Sequence, residues 1–136
     1  SAASDVYKRQ GHAFGKLADE YSFGGPIDAS TASYLKSWQE AGMYLNVSMS
    51  STEFPKPWQE LKDRGKISDV YVGGFSCSGG VWRSSENSLM KGMDEGFNIL
   101  SRYLIYLRMK NLRGEGMDFP AASLDDFLSR DKEDTE

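Results

Sequence analysis

The sequence predicts a mainly α fold with a minor β component (α+β), a single compact domain organised around one long C-terminal helix. Three observations predict it. Apolar residues recur at three- and four-residue intervals in several windows, the spacing that gathers them on one face of an α-helix. The most regular window runs from about residue 85 to 113. Alternation of apolar residues is confined to two short runs, at 47–51 and around Val70 and Val72, which limits the β content.

The first ten residues, SAASDVYKRQ, resemble a translated linker. They are read as a non-native leader, with the biological chain beginning ahead of Gly11, which leaves open that residues 11–136 are the C-terminal part of something longer. Residues 11–114 are expected to make one globular domain, and residues 115–136 an acidic tail with a short helix. Across Asp5–Tyr21, Val6, Gln10, Ala13, Phe14, Leu17 and Tyr21 fall near helical spacing, although Gly11 and Gly15 weaken that helix. Ser22-Phe-Gly-Gly-Pro26 ends it.

A second helix is expected from a cap at Asp28 or Ser30 to about Asn46, with Tyr34, Leu35, Trp38, Ala41, Gly42 and Leu45 as its stripe. VSMSS at 47–51 alternates briefly like a strand. Pro55 and Pro57 open a short helix over 56–64, since a first-turn proline forfeits no intrahelical bond. Gly65 suits its left-handed C-terminal cap, and Ile67 is placed to fold back on Leu61. A strand follows over 68–75, and a long helix starts at Ser84 or Ser85. Leu89, Met93, Phe97, Leu100, Leu104 and Leu107 form its apolar face, and basic residues precede the stop at Gly114. Ser123 is expected to cap a last short helix, LDDFL, with a frayed charged end beyond it.

The 136 residues are 39% hydrophobic and 26% charged, the composition of a folded domain. A net charge of -4 and a pI near 5.1 argue against a nucleic-acid partner, which calls for clustered cations. No apolar run is long enough to cross a membrane. One cysteine makes no internal disulfide, so a cytoplasmic location is expected. One histidine and one cysteine do not furnish a zinc site, and no cofactor is specified. Asp19 and Glu20, like Asp94 and Glu95, are adjacent carboxylates expected on solvated faces.

The chemistry-bearing stretch is Tyr71–Arg83, YVGGFSCSGGVWR. Gly74-Phe-Ser76-Cys-Ser78 resembles the G-x-S-x-G nucleophile elbow of the α/β-hydrolase family, a resemblance that implies a serine nucleophile at Ser76. Ser78 stands where the family has its second glycine, and the only histidine, His12, lies upstream of the serine instead of downstream. Cys77 is a second candidate nucleophile, with His12 as its conceivable partner. Alternatively, Gly73, Gly74, Ser76, Ser78, Gly79 and Gly80 form a cradle of backbone N–H groups for an anion or nucleotide, with Arg83 as a bidentate donor.

The leading functional expectation is a non-catalytic binding or interaction protein that self-associates through Leu89, Met93, Phe97, Leu100, Leu104 and Leu107. The acidic tail is a further candidate surface for a partner protein. The alternative is a small-molecule-binding or enzymatic domain, a fragment of a larger enzyme, using residues 73–83. A serine or cysteine hydrolase stands third, and whether the chain is an enzyme stays open.

Overall fold

A computed structural model describes residues 17–18, 20, 24–86, 98–112 and 121–131. Among the described residues it holds four helices and a small three-stranded antiparallel sheet, an α+β architecture. The part of the predicted first helix before Leu17 lies outside the described residues. Leu17, Ala18 and Glu20 are not helical.

Helix α1 (Ala29–Glu40) starts where Asp28 predicts, because its carboxylate accepts the Thr31 N–H at 2.7 Å. It ends well short of Asn46. Gly42 takes φ 88°, the Met43 N–H returns to the Trp38 carbonyl at 2.9 Å, and the Gly42 N–H to Gln39 at 3.0 Å. That paired closure is the Schellman arrangement, so a glycine read from the sequence as part of a stripe is a terminator. Helix α2 (Lys56–Asp63) repeats the device at Gly65, with φ 75° and the Lys66 N–H bonded to Leu61. Ile67 and Leu61 then meet in the same core, as expected.

Strands β1 (Val47–Ser48), β2 (Tyr71–Gly74) and β3 (Cys77–Arg83) lie in the order β1-β3-β2. The predicted strand is β2, but its continuation is a hairpin and not a connection to a helix. Phe75 and Ser76 make the two-residue turn with φ 52° and 60°, the sign required at both centres of a type I′ turn. Pairing is Tyr71 with Arg83 and Val72 with Trp82, then Gly74 with Cys77, so β3 bulges between them. The bulged residues face Gly24–Ile27 instead: Ser78 N–H donates to the Gly25 carbonyl at 3.1 Å and Ile27 N–H to Gly79 at 2.9 Å. Gly80 has φ 78°, and a Cβ there would lie 2.5 Å from the Ile27 side chain. Only glycine fits that crossing.

Helix α3 (Ile99–Leu112) is the described part of the predicted 85–113 helix. Ser84–Glu86 form bends, and Asn98 caps α3 by accepting the Ser101 N–H at 2.8 Å. One uninterrupted helix from 85 is therefore replaced by a helix with its own start at Ile99. Residues 87–97 lie outside the described set. Leu100, Leu104 and Leu107 are buried against α2 and the last helix, α4 (Ala121–Arg130), in a core with Trp58, Leu124 and Phe127. A second core joins α1 to the sheet through Leu35, Val47, Cys77 and Val81. No described helix is long and apolar enough to cross a membrane.

Helix α4 begins at Ala121, ahead of the expected cap, and docks on α3. The Tyr103 and Phe127 rings lie 5.0 Å apart. Arg102 donates from Nε and Nη2 to the two carboxylate oxygens of buried Asp131, each at 2.8 Å. This planar fork fixes the end of α4 more tightly than a single contact would. The expected fraying therefore does not begin by Asp131. Phe127→Ala should destabilise the protein by about 3–5 kcal/mol, as core phenylalanine deletions do, read as a lower urea midpoint. A loosely attached tail would give almost no change.

Candidate functional site

The glycine-rich stretch becomes one face of the hairpin, and its groups are engaged within the fold. Gly73 and Gly74 lie in β2, Ser76 in the turn, Ser78, Gly79 and Gly80 along the bulge, and Arg83 at the end of β3. Ser76 is exposed, and its carbonyl accepts the Gly24 N–H at 3.0 Å. His12 lies outside the described residues, as do Leu89, Met93 and Phe97.

Arg83 is 7% exposed. Its Nη1 donates to the carbonyls of Val72 at 2.6 Å and Gly73 at 3.3 Å, and its Nε to those of Ser85 at 3.1 Å and Glu86 at 3.4 Å. The guanidinium also lies over the Tyr71 ring, 5.9 Å from its centroid. A buried cation must replace its lost hydration with acceptors. Here four carbonyls do so, and Arg83 clasps β2 to the bend after β3.

Cys77 is buried in the second core, with its thiol donating to the Phe75 carbonyl at 3.5 Å. Burial pushes the thiol pKa up, and the Asp28 carboxylate adds to the effect. The thiol, not the nucleophilic thiolate, is the favoured form.

What the hairpin tip does assemble is aromatic. Phe75 meets Tyr34 at 6.3 Å and Tyr44 at 5.6 Å, Trp38 meets Tyr34 at 5.9 Å and Tyr44 at 6.2 Å, so four rings close a circuit. Tyr34 and Trp38 stand one turn apart on α1, which places them on one face. Tyr34 is 51% exposed and Trp38 36%. Tyr44 and Phe75 both hold positive φ, 59° and 52°. Bulky residues rarely adopt that conformation, and where they do the surrounding structure imposes it. Gln39 supplies part of the imposition by donating to the carbonyls of Tyr44 at 2.9 Å and Val47 at 2.7 Å. Burial raises the Tyr44 hydroxyl pKa, and the neighbouring Tyr34 adds to the shift.

A buried polar node lies behind this surface. Asn46 accepts the Ala18 N–H and donates to the Ala18 carbonyl, both at 2.8 Å, and also donates to Glu20 Oε2 at 2.9 Å. Asn98 donates to Glu20 Oε1 at 3.4 Å and to Ser85 Oγ at 2.9 Å. Glu20, expected on a solvated face, is fully buried. Adjacency of charges could not reveal it, because the amides that replace its water come from residues 26 and 78 positions away.

Compared with known proteins, the chain matches no protein-family model and no curated protein by sequence.

Asn46→Ala removes one donor to a buried carboxylate and both bonds to the Ala18 backbone. With about 1–3 kcal/mol for each group left unsatisfied, a loss of roughly 3 kcal/mol in chemical denaturation is expected. For Cys77, the folded pKa is raised, so the folded state keeps its proton where the unfolded state loses it. Stability should therefore fall as pH rises through the ordinary thiol range. At pH 8, iodoacetamide should modify the native protein at least about tenfold more slowly than the urea-unfolded chain. Equal rates would mean an exposed, ordinary thiol.

Proposed function

We propose that the protein is a non-catalytic binding or interaction protein, that its contact surface is the aromatic face at the hairpin tip, and that a second copy of the chain is its partner. The observation that carries this reading is the circuit of four rings, two of them substantially exposed and two on residues with left-handed backbone. Tyrosine and tryptophan bring large contact area at small entropic cost and are enriched where proteins meet. Leu100, Leu104 and Leu107 are covered from within the chain, which moves the proposed interface away from the α3 face. The net charge of -4 favours protein over nucleic acid as partner. A single cysteine buried as a thiol suits the reducing cytoplasm proposed as its location.

Mass measured by light scattering across a concentration series tests the proposal. The wild type should be a dimer or larger, and a Tyr34→Ala, Trp38→Ala double variant should be a monomer with an intact circular-dichroism spectrum. Losing both rings also removes their contacts with Phe75 and Tyr44, so a loss of about 1–3 kcal/mol is expected, and the circular-dichroism spectrum checks that the variant stays folded. A wild type that stays monomeric throughout the series would overturn self-association.

A further inference from the structure

On the other side of α1 lies an open groove of about 520 Å³, bounded by the second half of that helix and by the chain leading into α2. Its helical wall carries Lys36 and Glu40, two residues on from Tyr34 and Trp38 and hence about 200° around the helix from the aromatic face. The facing wall carries Glu53 and Lys56, and Leu45 and Met49 supply apolar surface between them. Each wall thus presents one cation and one carboxylate.

Among the described residues, none of these four side chains forms an ion pair. Lys56 also acts electrostatically on Glu60 one turn along α2. The walls are held in place by bonds that do not use the charges. Ser48 Oγ donates to the carbonyls of Ser50 at 2.8 Å and Glu53 at 3.1 Å, Gln39 staples the 44–47 turn, and Gly42 closes α1. The volume falls within the roughly 300–1,000 Å³ of small-molecule sites, and the four charged side chains stand exposed at its rim.

We infer that this groove binds a small zwitterion with an apolar body, the chemistry of a free amino acid or a short peptide. The formal charges of the four side chains cancel, so a ligand bearing a single charge would leave one sign on the walls unmatched. A zwitterion satisfies both. Its carboxylate belongs at Lys56, where the first turn of α2 has no side-chain cap and adds partial positive charge. Its ammonium belongs across the groove at Glu40, with the apolar body over Leu45 and Met49. The site is separate from the aromatic face and does not depend on self-association.

Calorimetric titration of the full chain with L-leucine and with alanyl-leucine tests the inference, and the tighter of the two identifies the source of the zwitterion. Leucinamide, which lacks the carboxylate, and 4-methylpentanoate, which lacks the ammonium, should each bind at least about tenfold more weakly than leucine, the loss of one charge-assisted contact. Lys56→Gln should weaken leucine to a similar degree and erase its advantage over leucinamide. Glu40→Gln should erase its advantage over 4-methylpentanoate. The Tyr34→Ala, Trp38→Ala variant should bind leucine as the wild type does, so failure of the interface proposal would leave this result intact. Absence of binding by both zwitterions at millimolar concentration, or equal affinity for leucine and its two half-charged analogues, would overturn the inference.

Discussion

A carboxylate with no exposure must be solvated by protein, and at Glu20 that requirement ties together segments far apart in the chain. Leaving such a group without partners would cost several kcal/mol, so the two amides that reach it are constrained in position. Asn46 does so while also clamping the Ala18 backbone. Asn98 does so while capping α3. The start of α3, the turn before β1 and the residues Ala18 and Glu20 are therefore held to one point. Through Ser85 the node reaches Arg83, whose guanidinium holds the Ser85 carbonyl and both ends of the hairpin.

This internal commitment explains the character of the hairpin. Glycines here admit the crossing of Gly24–Ile27, and Arg83 answers carbonyl groups of its own chain. The freedom to contact something else is left to the rings around Phe75 and to the charged groove on the far side of α1. Those two faces use the same helix differently. Residues 34 and 38 bring aromatic area, whereas residues 36 and 40 bring opposite charges.

Local rules were legible in the sequence where the cause is local. Asp28 caps α1 because its own side chain reaches Thr31, three residues on. Gly65 ends α2, and Pro55 and Pro57 begin it, because those residues restrict their own backbone. The same logic was available at Gly42 but was masked by an apolar stripe that ran past it. At the hairpin, Phe75 and Ser76 lack the usual turn signature of glycine or asparagine, so the reversal could not be read from residue type. The 85–113 pattern kept its helical period across Asn98, and periodicity alone carries no mark of where one helix starts.

The sequence by itself determined the α+β class, a helix starting after Asp28, a helix opened by Pro55 and Pro57 and closed at Gly65, a short helix around Leu124–Leu128, and a strand around Val72, because capping, proline and glycine geometry and side-chain period act over a few residues. Tertiary structure alone decided that Glu20 is buried, that Arg83 faces carbonyls, that Leu124 and Phe127 are covered, and that Phe75 joins the rings of α1. Each of those outcomes is set by partners tens of residues away, and the free energy of burying a charge or a ring is fixed only when those partners arrive.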